Sequence, residues 1–388
     1  MKRLTLHKIT TFLAAAALYL TGGTCVMAQE LQLPKRWQKE FSTVNPIFRN
    51  DTITICFLGD VMMHTKQIET ARQGESGYDF STYFMLIEDR IRNADLAVAN
   101  MEFPLGGEPY SGYPVFSAPD PLAEYMVRCG TDIFLAANNH IYDKGRSGAE
   151  RTAGIYRRLQ EEYGIRFTGI SSNEEEERFT HPLMKTVRGI RIAFINFTYA
   201  TNGGRREGWP KVNYMDDRED LSLAIRTAER KHADAIIALP HWGNEYELKH
   251  SESQEETAEW LVGEGVDLII GTHPHVVQDT TFIKKENGSG YVPVAYSLGN
   301  AVSNMSARNT QLELMVTARI IRDTKGQTRI ETPELTFLWC SRPGGFNNGY
   351  TVIPIEEYMD RRDMWQSNWD YLNMVETYER VKKATGIE

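Results

Sequence analysis

The chain has 388 residues, is 41% hydrophobic and 24% charged, and carries a formal net charge of −9. That length holds one large domain or two ordinary ones with a full core, and the balance of apolar and charged residues is that of a soluble globular protein rather than a disordered one. An acidic surface repels nucleic acid and other polyanions at long range, so no nucleic-acid partner is expected and any anionic substrate must be held by local cations or metal ions.

Residues 1–28 read as a secretory signal peptide, with Lys2, Arg3 and Lys8 as a basic start, an apolar stretch from Phe12 to Leu20, and Val26-Met27-Ala28 as the cleavage signal. The stretch is too short for a spanning helix, and no other window approaches about 18 uncharged apolar residues. Cys25 leaves a lipoprotein alternative open, although Gly22-Gly23-Thr24 lacks the usual aliphatic residue. The expected location is therefore exported, periplasmic or cell-envelope associated. Removing Lys2, Arg3 and Lys8 with no acid takes the net charge from −9 to −12. Cys56, Cys129 and Cys340 remain, too few and odd in number for a disulfide framework. Cys56, inside I-T-I-C-F-L, reads as a small buried hydrophobe.

Residues 29–50, with Pro34 and Pro46, form a lead-in to a domain expected over 51–355. Apolar runs at 53–58, 95–99, 132–137, 190–197, 235–239, 267–270 and 292–298 predict strands, many of them continuous enough to be covered on both faces. Between them, amphipathic patterns near 82–93, 120–129, 148–163, 217–231 and 253–264 predict helices, and the alternation points to a largely parallel α/β sheet. The acidic run Glu174 to Glu177 reads as a solvated loop. From 311 to 355 strands prevail, Leu312 to Ile321 and Leu335 to Cys340 flanking the turn D-T-K-G-Q (323–327), as for a second sheet packed on the first. Residues 356–388, with Trp365, Trp369, Tyr371, Leu372 and Tyr378, read as C-terminal helices lying on the body.

Five of the nine histidines fall in short polar knots where these runs end: G-D-V-M-M-H (59–64), A-N-N-H-I-Y-D-K-G (137–145), H-W-G-N-E-Y (241–246) and G-T-H-P-H (271–275). A fifth knot, N-M-E-F-P-L (100–105), adds a carboxylate. An open α/β sheet gathers its chemistry at the carboxyl ends of its strands, so these residues can share one crevice. Asp60 can ligate a metal or cap the next helix, with His64 a turn further on. Asn100 and Glu102 share a face of extended chain, and Glu102 suits a bridging carboxylate. Asn139 offers an amide oxygen, while His140, preceded by Asn138 and trailed by Asp143, can donate a proton to a leaving group. His241 ends its strand, with Glu245 close behind. The proline between them should hold His273 and His275 extended and projecting to one side as a chelating pair.

Asp60, Glu102, Asn139, His241, His273 and His275 exceed what one tetrahedral zinc requires and suit two divalent ions sharing a carboxylate, about 3.5–4 Å apart. Oxygen and nitrogen donors without thiolate favour Mn, Fe, Zn or Mg without choosing among them. Arg205, Arg206 and Lys211, in the Gly-rich stretch 203–211, are candidates to bind substrate charge and equally readable as solvated loop cations.

In order, G-D (59–60), N-x-E (100–102), N-N-H-x-x-D-x-G (138–145), H-W-G-x-E-Y (241–246), G-x-H-P-H-V-x-Q (271–278) and Y-S-L-G-N (296–300), closing on Asn300, resemble the CapA family of poly-γ-glutamate capsule biosynthesis. The resemblance runs from about Ile53 to Ser303. It implies a metallophosphatase-like, four-layer αββα sandwich similar to calcineurin-like phosphoesterases. Asp60 would then match the first metal-binding aspartate, Glu102 would stand where a bridging aspartate is usual, and Asn139 with His140 would match the Asn-His pair. Three departures stand out: Met62 occupies the place of the histidine in the phosphoesterase D-x-H, the bridge is Glu rather than Asp, and Ala301 comes after Y-S-L-G-N where an aromatic is usual. The resemblance implies an exported metal-dependent hydrolase acting on a phosphoester or an anionic polymer alongside envelope biosynthesis machinery. Two alternatives stay open on the same ligands: a non-catalytic factor that grips a polyanion, and a γ-amide hydrolase.

Overall fold

A computed structural model describes residues 51–388, apart from Ser76, Asn287, Ser289 and Glu388. The expected signal peptide, Cys25 and the lead-in segment lie outside the described residues. The β-rich, alternately apolar strand Asp51–Val61 is the hinge of the first sheet. On one side it pairs in parallel with Leu96–Met101, followed by Ile133–Leu135 and Arg166–Thr168. On the other it pairs antiparallel with Leu312–Arg322, followed by Glu334–Ser341 and Thr351–Pro354. The strands expected as a separate sheet after 311 therefore extend the first one. They return without a helical crossover, which an antiparallel hairpin permits.

The second sheet carries Tyr291–Ala295, Leu268–Ile270, Ala235–His241 and Ile190–Thr198 in parallel order, with Thr280–Lys284 and Leu183–Val187 as antiparallel edges. Period-two side chains divide between layers. Ile53, Ile55 and Phe57 join Ile192, Phe194 and Ile237 in the cluster between the sheets. The alternate residues Cys56 and Leu58 pack outward among Leu122, Met126, Tyr156 and Leu159 of helices Asp120–Cys129 and Gly145–Tyr163. On the far side Ala193, Ile195 and Ala238 meet Leu221, Ile225 and Leu261 of helices Arg218–Arg230 and Glu252–Glu264. Helix, sheet, sheet, helix is the four-layer α/β sandwich expected.

Several local readings change. The helix expected over 82–93 begins at Glu88, because Phe80, Tyr83, Phe84 and Ile87 are buried in turns and mimic helical periodicity. Glu174 to Glu177 is not a loop but the first turn of helix Glu174–Thr180, where acids complement the helix dipole, while Glu174 and Glu175 are exposed as expected. Asn173 Oδ1 caps it by accepting from Glu176 N at 2.9 Å. The C-terminal helix Asn368–Thr385 buries Met374, Tyr378 and Val381 in the cluster that holds Phe337 and Trp339. Cys56, Cys129 and Cys340 are free and buried, and no helix among the described residues is long and apolar enough to cross a membrane.

Candidate metal centre

The parallel strands of both sheets end together, and the polar knots follow them. Asp60 sits at the end of Asp51–Val61 because Gly59 lets a neighbouring chain come very near: a Cβ there would lie 2.1 Å from Gly299 O. That contact brings the Y-S-L-G-N segment alongside, with Asp60 N donating to Gly299 O at 2.9 Å. Gly271 does the same beside Tyr296, whose carbonyl a Cβ would meet at 2.1 Å.

Three trios of ligand atoms gather at this place: Glu102 with His241 and His273, Asp60 with Glu102 and His275, and Glu245 with His273 and His275, the atoms of each trio lying within 4.8 Å of one another. Glu102 belongs to two trios. Its carboxylate is fully buried, 3.5 Å from His241 Nε2 and 3.7 Å from His275 Nε2, and neither oxygen has a hydrogen-bond partner among the described residues. Buried polar atoms are almost always paired. Two buried acids among three imidazoles, with no Lys or Arg paired to them among the described residues, fit a divalent metal site.

The surrounding amides orient these groups. Asn100 Nδ2 donates to Asp60 Oδ1 at 2.7 Å and lies 3.3 Å from His241 Nδ1. His241 Nε2 is 2.8 Å from Asn139 Oδ1, and its Nδ1 is 3.0 Å from Thr272 Oγ1. Asn300 Nδ2 donates to the carbonyls of His275 and Thr310, so its Oδ1 faces His275 Nδ1 at 3.0 Å and leaves Nε2 turned to Glu102. Asn138 stabilises its own loop through Met101 O and His140 N. His140 Nδ1 is 2.7 Å from Asp143 Oδ2 and 3.1 Å from Asn202 Nδ2, and its ring lies edge-on to Phe116.

Not every expectation for these residues holds. His273 and His275 are not extended; their φ values are +100° and +58°. Left-handed backbone is costly for non-glycine residues, about 1–3 kcal/mol each. Tertiary hydrogen bonds impose it: His273 N donates to Asp60 Oδ2 at 3.2 Å, and Tyr246 N donates to Pro274 O at 2.9 Å. The rings are nonetheless 5.8 Å apart. His64 stands at the rim, facing Gln67 and Asn304 rather than joining a trio. Glu245, expected only beside His241, comes within ligand reach. Arg205 is held by Asp216 and Asp217, and Lys211 by Glu177 and Asp220, so their charges are already balanced. Arg206 lies over the Tyr142 ring instead, 5.3 Å from its centroid.

Residues 54–305 match the family described as bacterial capsule synthesis protein PGA_cap. The chain belongs to this family. Among relatives, it is 26% identical to the capsule biosynthesis protein CapA of Bacillus anthracis, over 72% of this chain and 67% of that one. It is 25% identical to the PGA biosynthesis protein CapA of Bacillus subtilis (strain 168), over 73% of this chain and 72% of that one. Similar solved structures include a 5'-nucleotidase precursor from Thermus thermophilus, at TM-score 0.46 and 15% identity over 86% of this chain; the chain spans 59% of its length. Another is the calcineurin-like phosphoesterase YfkN from Bacillus subtilis, at TM-score 0.44 and 14% identity, covering 86% of this chain and 100% of that one.

In this PGA_cap protein the electrostatics follow from burial. Burial and then the adjacent Asp60 push the Glu102 carboxyl well above the usual range. Burial would raise Asp60 too, but the hydrogen bond and charge of His275 bring it below its ordinary value. Burial lowers His241 to about 3 and holds His273 well below an ordinary imidazole, so both rings are neutral donors at physiological pH. Sequence reading missed Thr272, Asn202 and Glu313, the last of which accepts from Gly59 N at 2.8 Å. A lone acid in the apolar run L-E-L-M-V was the available signal for Glu313. It also missed a tyrosine rim, with Tyr199 4.5 Å from the His273 ring and Tyr246 6.4 Å from the His275 ring.

Proposed function

We propose that this chain is an exported protein of capsule-type polymer biosynthesis in which two divalent ions, drawn from Mn, Fe, Zn or Mg, serve hydrolysis of a phosphoester or an anionic envelope polymer. The observation that carries this reading is Glu102, whose two carboxylate oxygens are buried, unpartnered among the described residues, and common to two groups of candidate ligands. Asp60, Glu102, His241, His273 and His275 would hold the ions, with Asn139 and Glu245 within reach. Bound ions would supply Lewis-acid polarisation and an activated water.

The chain's own residues do the rest. Asn100, Asn300 and Thr272 orient the ligands. His140, steadied by Asp143 through Nδ1, keeps Nε2 for the substrate and gives its proton to the leaving group. Residues 1–28 direct export, and the envelope biosynthesis machinery is the expected partner.

Elemental analysis of the purified protein and turnover of an aryl phosphate with added manganese test the reading. Metal-dependent turnover should vanish in His273→Ala and fall by about 10²–10⁴ in His140→Ala. A protein that binds no metal sinks the proposal. Polymer binding without turnover of phosphoester or γ-glutamyl amide would replace it with a gripping role.

A further inference from the structure

Loop 300–311 has two sides. One carries Asn300, which holds His275, and Asn304, whose N–H donates to His64. The other, with helix Asn368–Thr385 and the end of strand Glu334–Ser341, lines a cavity of about 280 Å³. Three arginines open into it, Arg308, Arg342 and Arg380, beside Gln311 and Trp369, and no carboxylate lines it. In a chain of net charge −9 that is an unusual concentration of one sign.

None of the three forms an ion pair with an acid among the described residues. Arg308 is exposed and makes no hydrogen bond or ion pair among the described residues. Arg380 is held only by neutral acceptors, Asn309 Oδ1 at 3.0 Å, Thr377 Oγ1 at 2.8 Å and Glu376 O at 3.4 Å. Arg342 donates to Met305 O, and its Nε is buried without a partner among the described residues. The buried acid Asp370 is bonded to Ser341 Oγ and Trp339 Nε1 and feels the charge of Arg342 without forming an ion pair with it. Burial, then the charge of Arg308, depress the Arg380 guanidinium, and the charge of Glu376 offsets this only in part.

We propose that this pocket is an anion-binding subsite for a polycarboxylate chain, Arg308, Arg342 and Arg380 receiving carboxylates while Trp369 carries the apolar stem between them. Guanidinium forks match carboxylates in bidentate geometry. Trp369 is 67% exposed and offers an indole face that a purely inorganic polyanion would not use. The volume falls short of the roughly 300–1,000 Å³ of pockets that enclose whole drug-sized ligands, which suits a short stretch of a longer acidic strand. The choice of carboxylate rests on the polymer reading of the function above; the anion site itself does not.

The test uses full-length, metal-free protein titrated calorimetrically with oligoglutamate, and with tripolyphosphate as the rival, while tryptophan fluorescence is followed. Because no metal is present, the outcome is separate from whether the chain hydrolyses anything. Oligoglutamate should bind, more weakly as salt rises, with affinity lower by roughly tenfold in Arg308→Gln and in Arg380→Gln. Arg308→Lys should recover part of the loss, and Trp369→Phe should diminish the fluorescence change, leaving only the contribution of Trp339 in the same lining. Arg308 makes no internal hydrogen bond or ion pair, so its variant keeps the fold. Unchanged affinity in Arg308→Gln, no binding by wild type, or tighter binding of tripolyphosphate would each overturn the proposal.

Discussion

Glu313→Gln provides a quantitative test of how the site is built. Glu313 is 1% exposed, and burial, partly offset by the Gly59 N–H and reinforced by Asp60, raises its carboxyl from 4.5 to about 8. In the unfolded chain the group ionises near the lower value, in the folded protein only near the higher. Between them the folded state holds the extra proton, so stability falls as pH rises, by about 1.4 kcal/mol per unit. From about pH 5 to about pH 8.5 the wild type should lose about 4 kcal/mol through this group, and Gln, which cannot ionise, should not. Gln keeps the oxygen that accepts from Gly59, and its amide takes the place of Glu313 Oε2, itself buried without a partner among the described residues, so any difference there is independent of pH. The difference between the two pH values is therefore the quantity to read. Urea unfolding of the metal-free proteins measures it, and other titrating groups cancel between wild type and variant. Parallel stability curves would refute the assignment of Glu313 as a buried, protonated support for Gly59 and Asp60.

Manganese at about a hundredfold over its dissociation constant should stabilise the wild type by about 2.7 kcal/mol; the shift should disappear in Glu102→Gln and be reversed by chelator, as read by thermal melting. Asn300→Ala frees the His275 ring and should weaken metal binding by about 10–100-fold in a direct titration, and undiminished affinity would show that the amide does not orient the ligand. Gly59→Ala places a Cβ 2.1 Å from Gly299 O and should destabilise the protein by about 1–3 kcal/mol or more in urea unfolding. A neutral result there would mean that the two segments can separate without loss.

Most parallel strands were legible as apolar runs, the majority closed by a polar knot where Asp60, Glu102, His241, His273 and His275 stood out as ligand types, whereas the short parallel strand Arg166–Thr168 gave no such run. The errors came where local pattern was a poor guide. Phe80, Tyr83, Phe84 and Ile87 look helical yet are buried in turns, and Glu174 to Glu177 read as a loop yet open a capped helix whose Glu176 meets Arg157. Proline suggested extended histidines, whereas hydrogen bonds from distant residues hold both left-handed.

The order of apolar runs and the residue types at their ends belong to the chain itself, because strand burial and metal ligation each demand a narrow chemistry. Which cations keep a free charge was decided only on folding. Lys211 is neutralised by Glu177 and Asp220, while Arg308 and Arg380, unremarkable in the sequence, face a cavity with no acid in its lining. The same holds for Glu313, which meets Gly59 across 254 residues. Charge balance and hydrogen bonding depend on contacts of a few ångströms, and pairing across such separations is fixed by the packing of the two sheets rather than by neighbours along the chain.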